Sequence, residues 1–328
     1  MKGNIKKIGV MTSGGDAPGM NAAIRAVARA CSYYNIECIG FYRGYQGMIE
    51  GDYIELTARS VKNIISKGGT ILKSARSTEF RTKEGRKKAY EQVKKAGVDA
   101  LVLIGGDGTF NGGIVFGKEH GIPFIGVPGT IDNDIAGTSS TIGYDTALNT
   151  VVDCIDKIRD TASSHNRLFF VEVMGRDAGF IALNAGVGAG AEEILLPEED
   201  LGLDRLLESL KKSKRSGKSS SIVVVSEGDK TGKNVFELAE YVKENLPGYE
   251  ARVSVLGHMQ RGGSPTCFDR VLASKLGVKA VESLLDGQSN AMVGFINSKV
   301  VTTNIEEAIK GSHDINRELL RISDILSV

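Results

Sequence analysis

The sequence predicts an α/β fold with mainly parallel sheets, and three observations carry that prediction. Short apolar runs recur along the 328 residues, among them 7–12, 100–104, 124–127, 169–173 and 222–225. Between them lie stretches with helical spacing, such as Ala147, Leu148, Val151, Val152, Ile155 and Ile158. The apolar runs break abruptly into glycine, hydroxyl and carboxylate, and an open parallel sheet binds its ligands just past such strand ends. Strand alternating with helix throughout implies parallel pairing through crossover helices.

Taken in order, residues 7–12 read as the first strand. A glycine-rich turn over 13–21 opens a helix over 22–32 with Asn21 near its N-cap. A loop that opens onto a helix N-terminus is a ready anion site. Arg25 and Arg29 stand four apart on that helix, hence on one face, with no acid at the i±4 positions, which suits a second phosphate site. Residues 36–42 suggest a strand, 43–47 a turn and 60–66 a short helix. Gly68-Gly69-Thr70 then leads to Arg76 and Ser77 in a loop of small residues, where an arginine could lie against a transferring phosphoryl group. The charges of a polar helix over 84–96 read as a solvated face.

Residues 100–104 read as a strand buried on both faces that runs into Gly105-Gly106-Asp107-Gly108-Thr109. The strand over 124–127 runs into Pro128-Gly129-Thr130-Ile131-Asp132-Asn133-Asp134. A helix over 141–159 and a strand over 169–173 follow, the strand ending in Met174-Gly175-Arg176-Asp177. Glu192 and Glu193 precede the apolar stretch 194–197. The helix over 203–214 has a basic end, as the helix dipole favours. The strand over 222–225 stops at Ser226-Glu227-Gly228, and one over 252–256 enters Gly257-His258-Met259-Gln260-Arg261. A helix over 268–285, a final strand over 293–296 and a helix-rich tail complete the chain.

The chemistry of the two central turns is that of a nucleotide site. Glycine lets the backbone approach a ligand, and its N–H groups can bind phosphate oxygens. Asp107 is acceptor-only and suits a magnesium ion between phosphates. Asp132 and Asp134 put two acids where charge is costly unless it is used, one of them towards a reacting hydroxyl. His258 by itself fits a core histidine equally well, but Arg261 in the same turn favours anion binding.

Lysine plus arginine number 41 against 40 acids, a formal balance of +1, so no global field draws in nucleic acid or an anionic membrane. Cys31, Cys38, Cys154 and Cys267 form no CxxC pair and read as reduced thiols. No apolar run approaches the roughly 20 residues of a membrane span. The expectation is a soluble, cytoplasmic protein.

With these motifs assembled, the chain resembles the bacterial-type ATP-dependent 6-phosphofructokinase family from Ile8 to about Ile305. The matching stretches are 12–21, 105–109, 128–134, 173–176 and 256–265. The resemblance implies two similar three-layer domains, one over 1–142 plus 259–309 for ATP and one over 143–258 plus 310–328 for fructose 6-phosphate. It also implies a homotetramer with active and effector sites at subunit interfaces. Gly15, Arg76, Ser77, Gly106, Asp107, Gly108 and Thr109 would hold ATP, with Asp107 near Mg2+. Asp132 would take the proton from the sugar 1-hydroxyl, with Thr130, Asp134 and Arg176 beside it. Thr130, Ile131, Met174, Gly175, Arg176, Glu227, His258, Met259, Gln260 and Arg261 would hold fructose 6-phosphate, and Arg167 and Arg252 would reach a neighbouring subunit's sugar phosphate.

Pyrophosphate-using relatives carry aspartate where this chain has Gly108 and lysine where it has Gly129, so ATP is the expected donor. Arg25, Arg29, Arg59, Arg159, Gly190, Glu192 and Lys218 match the family's effector pocket for ADP or phosphoenolpyruvate, with Glu192 near a metal. Ser216, Ser219 and Ser220 replace expected basic residues or histidine, and Ala58 an arginine, so effector binding should be weaker or altered. Lipid and NAD kinases share Gly-Gly-Asp-Gly-Thr, but they give no reason for the 128–134 and 258–261 turns. A catalytically silent nucleotide-binding subunit would be expected to have lost Asp107 or Asp132, and both are present.

Overall fold

The computed structural model describes residues 5–165, 167–199, 202–216, 220–311 and 313–327. The chain opens with β1 (Lys7–Thr12), α1 (Met20–Tyr33), β2 (Glu37–Phe41), α2 (Tyr45–Glu50), β3 (Tyr53–Glu55) and α3 (Lys83–Lys95). It continues with β4 (Ala100–Gly105), α4 (Asp107–His120), β5 (Phe124–Pro128), α5 (Tyr144–His165), β6 (Arg167–Val173) and α6 (Phe180–Gly188). Next come β7 (Glu193–Leu195), α7 (Gly202–Arg215), β8 (Ser221–Ser226), α8 (Val235–Asn245) and β9 (Glu250–Val255). The last elements are α9 (Cys267–Leu285), β10 (Ala291–Ile296), β11 (Lys299–Asn304), α10 (Ile305–Lys310) and α11 (Arg317–Leu326). The fold is α/β, as the alternation predicts.

The chain forms two compact units. The first comprises residues 1–131, 135–146 and 261–313, and the second 132–134, 147–260 and 314–328. The first holds a seven-stranded sheet in the order β11-β10-β5-β4-β1-β2-β3. Its interior pairs are parallel and its two outer pairs, β2–β3 and β10–β11, are antiparallel. All six residues of β4 are buried, because β1 and β5 flank the strand and helices cover both faces. Fully buried Phe41, Phe110, Phe116, Phe124, Met11 and Leu103 form the core on one side. Burying each such side chain stabilises by about 1.5–3 kcal/mol. On α9, a methyl group at Gly277 would sit 2.7 Å from Ala26 Cβ of α1, so these two helices pack with backbones close together. The second unit holds an all-parallel sheet, β7-β8-β6-β9, over a core that includes Leu168, Phe170, Leu206, Leu210, Val223, Leu238 and Val242.

Several local expectations need correcting. Residues 60–66 form turns rather than a helix, because Thr57 and Ser60 exchange side-chain and backbone hydrogen bonds and Asn63 is left-handed at φ 61°. The 43–47 segment turns only as far as Gly44, and α2 begins at Tyr45. The strand at 293–296 is not the last, since β11 returns along it through a turn at Asn297 and Ser298, both at positive φ. Asn21 does not cap α1, whose N-cap is left-handed Gly19. The charges of α3 are not all solvated, because Arg86 makes a two-point ion pair with Glu119, at 2.6 and 2.7 Å, with its side chain only 12% exposed.

The start of α5 is capped from another helix. Buried Asp269 of α9 accepts from Gly143 N at 2.9 Å, Thr146 N at 2.8 Å and Thr146 Oγ1 at 2.5 Å. Burial pushes its carboxyl up to about 6, with Asp145 adding to the rise and the three hydrogen bonds opposing it. The folded state therefore holds a proton between about pH 4 and 6 that the unfolded chain has already released. That contribution to stability is complete below the unfolded value and is lost as pH rises through 6. Relative to an Asp269→Asn variant, which cannot titrate there, the wild type should gain roughly 3 kcal/mol on going from pH 7 to pH 4. Paired denaturant titrations across that range measure the difference, and a constant gap would contradict it.

Candidate active site

In the first unit three neighbouring strands end together. Ser13 N donates to Ile104 O at 3.0 Å and Gly129 N to Gly105 O at 3.0 Å, so the turns after β1, β4 and β5 share one edge of the sheet. This edge sets Gly15, the turn 105–109, Thr130 and Ile131 on adjacent strand ends. Gly105 is required there, since a Cβ would lie 2.4 Å from Thr109 Oγ1 and 2.5 Å from Ser13 O. Gly108 faces open space, with no atom within 4 Å of an added Cβ. Asp107 is the first residue of α4, at a helix terminus whose dipole favours an anion. Thr109 is buried, and its Oγ1 makes no hydrogen bond among the described residues. A buried hydroxyl in that state awaits a polar ligand.

The loop that carries Arg76 and Ser77 is held from beneath. Asn21 donates from Nδ2 to Lys67 O and Gly68 O, both at 3.1 Å, and accepts from Ile71 N at 2.7 Å. Thr12 Oγ1 donates to Lys73 O at 2.8 Å. Ser77 Oγ donates to Gln46 Oε1 at 2.8 Å, while Arg76 is exposed. Tyr45 stacks on Phe80 with ring centroids 3.9 Å apart and donates its hydroxyl to Thr109 O at 2.5 Å. Sequence reasoning missed Asn21, Thr12 and Tyr45 as supports. Only the buried hydrogen-bonding side chain in an apolar context hinted at them.

Arg261 also belongs to this unit. Its Nη1 is 3.4 Å from Asp16 O, and a Cβ on Gly15 would fall 2.5 Å from the same nitrogen. The guanidinium assigned to the sugar phosphate thus rests on the loop assigned to the nucleotide.

In the second unit the turns after β6 and β8 brace each other. Glu227 Oε1 accepts from Arg176 N at 2.7 Å and Gly175 N at 3.3 Å, and Glu227 N donates to Val173 O at 3.0 Å. Gln260 Oε1 accepts from Met174 N at 3.2 Å. Gly175, at φ 143°, allows the tight turn, for a Cβ there would lie 2.3 Å from Ala178 O. Arg176 is left-handed at φ 54° and brings its Nε to 3.4 Å from Asp132 Oδ2. Asp132 is 1% exposed, so this guanidinium offsets the cost of a carboxylate out of water. Asp134 is half-buried close by in the chain. His258 and Met259 are exposed, and Met259 Sδ lies 3.9 Å from Cys154 Sγ.

Arg167 and Arg252 lie apart from this cluster. Both pair with Glu250, Arg167 Nε at 3.1 Å, near the start of β6 and β9. Arg167 is thereby roughly 20 Å along its strand from the Arg176 turn. Of the effector matches, Arg159 Nη2 donates to Ala189 O and Gly190 O at 2.7 Å, and its Nη1 is 3.8 Å from Glu192 Oε1. Glu192 Oε2 accepts from Ile222 N at 2.6 Å, so both its oxygens face partners of this chain. Arg25 and Arg29 share a face of α1, and burial together with Arg29 lowers the Arg25 pKa. Arg59 is exposed. Lys218 and Ser219 lie outside the described residues, and Ser216 donates to Ser213 O at 2.8 Å. Among the described residues no cluster of three or more His, Cys, Asp or Glu is arranged to hold a metal by itself, and no helix is long and apolar enough to cross a membrane.

The family model described as phosphofructokinase matches residues 7–284. The chain belongs to that family. It is 56% identical over 324 residues to the ATP-dependent 6-phosphofructokinase 1 of Thermus thermophilus, covering 99% of this chain and all of that protein. It is 52% identical over 326 residues to the ATP-dependent 6-phosphofructokinase 2 of Bacteroides thetaiotaomicron, with 99% and 100% covered. Among solved structures, phosphofructokinase from Saccharomyces cerevisiae superposes with a TM-score of 0.89 at 35% identity. That match covers 93% of this chain, which spans 45% of the yeast one. A pyrophosphate-dependent phosphofructokinase from Marinobacter aquaeolei has the same fold at 21% identity, with a TM-score of 0.85 and coverage of 96% and 86%.

The glycines of the phosphofructokinase turn differ in what they tolerate. Gly105→Ala meets backbone at 2.5 Å and should cost roughly 1–3 kcal/mol. Gly108→Ala faces open space and should stay within about 0.5 kcal/mol of wild type. Denaturant midpoints of the two variants check the contrast.

Proposed function

We propose that this chain transfers the terminal phosphoryl group of ATP to the 1-hydroxyl of fructose 6-phosphate, giving fructose 1,6-bisphosphate and ADP. The observation that carries the reading is the buried Asp132 carboxylate held 3.4 Å from Arg176, in a chain 52–56% identical to enzymes named for this activity. The Arg176 guanidinium faces the Asp132 carboxylate, which would accept the hydroxyl proton. Thr130, two residues before it, and Asp134, two after it, orient the reacting groups. Phosphoryl transfer needs positioning and charge neutralisation more than covalent help, and Arg76 and Arg176 supply positive charge.

The residues of the first unit fit the nucleotide. Main-chain N–H groups at 106–108 and the Thr109 hydroxyl bind its phosphates, and Gly15, Arg76 and Ser77 complete the set. Asp107, an oxygen donor at the head of α4, would hold Mg2+, which neutralises charge on the phosphates when bound. Met174, Gly175, Glu227, His258, Met259, Gln260 and Arg261 bind the sugar phosphate, with Ile131 beside it. Arg167 and Arg252 serve a neighbouring subunit of a homotetramer, a role in keeping with the distance of Arg167 along β6 from the Arg176 turn. The setting is the cytoplasm. The Arg25 and Arg29 face of α1 and the Arg159 and Gly190 group suit ADP or phosphoenolpyruvate, weakly, because Ser216 and Ser220 add no cation.

The donor is ATP rather than pyrophosphate. Gly108 leaves open the space that an added carboxylate would fill against a nucleotide's α-phosphate. At Gly129 even a Cβ would lie 3.1 Å from Ile104 Cγ2 and 3.4 Å from Met20 Cε, so a lysine has no room without movement. The purified protein should form fructose 1,6-bisphosphate with ATP and not with pyrophosphate; the opposite preference in a donor-swap assay would overturn the reading. Asp132→Asn should fold normally and lose at least about a hundredfold in kcat, the scale of a general base. Near-native turnover would remove Asp132 from that role.

A further inference from the structure

We infer that Asp269, through Thr146, is a positioning residue for the transfer, an inference that rests on the reading of Thr130 and Asp132 as reacting-site residues. Asp269 is fully buried, and no ion pair to a cation is seen for it among the described residues. Its two oxygens instead collect three donors from the segment that leads out of the Asp132 loop: Gly143 N, Thr146 N and Thr146 Oγ1. That segment is itself the brace of the loop's beginning. Thr141 Oγ1 donates to Thr130 O at 2.6 Å, Ile142 N donates to Pro128 O at 3.0 Å, and Gly129 and Ile142 form a parallel bridge. Asp269 therefore fixes the strap 141–143, and the strap fixes Thr130.

Two further loops meet at the same joint. Gly143, at φ 102°, lies so close to the first-strand loop that a Cβ would be 2.6 Å from Ala17 Cβ, and a Cβ on Gly19 would be 3.6 Å from Asp269 Cβ. On the other side, Thr266 caps α9 by accepting from Asp269 N at 3.3 Å. It donates its hydroxyl to Asp145 Oδ2 at 2.6 Å, and its N–H to Thr146 Oγ1 at 3.0 Å. Thr146 Oγ1 is thus the shared atom, donating to Asp269 and accepting from Thr266, which lies five residues beyond Arg261. A purely apolar joint at this point would pack two helices, but it would leave three N–H and O–H groups buried without partners and would not index one loop against another.

The test separates indexing from mere capping. Thr146→Val keeps the shape and removes the shared oxygen, whereas Thr146→Ser keeps the oxygen. In the full-length protein, Thr146→Val should lower kcat tenfold or more with KM for ATP within twofold, because the hydrogen bonds of Thr146 to Asp269 and Thr266 do not include the 105–109 turn. Thr146→Ser should restore kcat to within twofold of wild type. Asp269→Asn should reproduce the kcat loss, and the double variant should lose no more than the worse single one, since both break one network. Should Asp269→Asn fail to fold, the two Thr146 variants decide the matter alone. A kcat within twofold of wild type in Thr146→Val, accompanied only by a lower Tm, overturns the inference and leaves a helix cap. Asp132→Asn run in parallel keeps the levels apart: its retention of turnover would overturn the parent reading instead.

Discussion

Three parallel strands that stop in the same place set the terms for the rest of the first unit. The hydrogen bonds Ser13 N to Ile104 O and Gly129 N to Gly105 O continue the ladder one step beyond the regular strands, so the turns after β1, β4 and β5 leave the sheet in register. A parallel sheet that is buried on both faces can accept polar ligands only at such an edge, because elsewhere every backbone group is paired and every side chain is in the core. Gly105 makes the edge passable. With any side chain there, the β1 turn and the head of α4 could not both approach.

Within each unit the charged groups are held by backbone as much as by opposite charge. Glu227 holds the Arg176 turn through two N–H groups, and Arg176 then turns its guanidinium to Asp132 from a left-handed backbone. A left-handed non-glycine residue costs on the order of 1 kcal/mol, which persists only where surrounding bonds over-determine the conformation. Here they do, for a Cβ on Gly228 would lie 2.1 Å from Arg176 O, so the two turns interlock. Asp269 works by the same rule, with hydrogen-bond donors rather than a cation around a buried carboxylate.

How much of this was legible in the sequence depended on whether the signal was local. The buried runs of β4 and β5 and the polar turns that end them are contiguous, so pattern alone located them and the acids they carry. Residues 60–66 carry apolar spacing that suits a helix, yet the Thr57–Ser60 exchange and left-handed Asn63 commit the backbone to turns. Asn21 followed the rule that places asparagine at helix starts, but its side chain bonds a loop some fifty residues away. Arg86 read as a solvated charge because its partner Glu119 is 33 residues on, across α3 and α4. The Asp269–Thr146 bond spans 123 residues and leaves no periodic trace at all. Contacts of that kind follow from topology, which periodicity and turn chemistry do not specify.

The placement of Arg261 shows what such a contact can add. Sequence pattern assigns Gly15 to the nucleotide and Arg261 to the sugar phosphate, as if the two were independent. In the fold the guanidinium occupies the space that a side chain at position 15 would need. Absence of a Cβ at Gly15 therefore leaves room for that cation. A side chain at position 15 would therefore have to displace Arg261, so a substitution there acts on both residues at once.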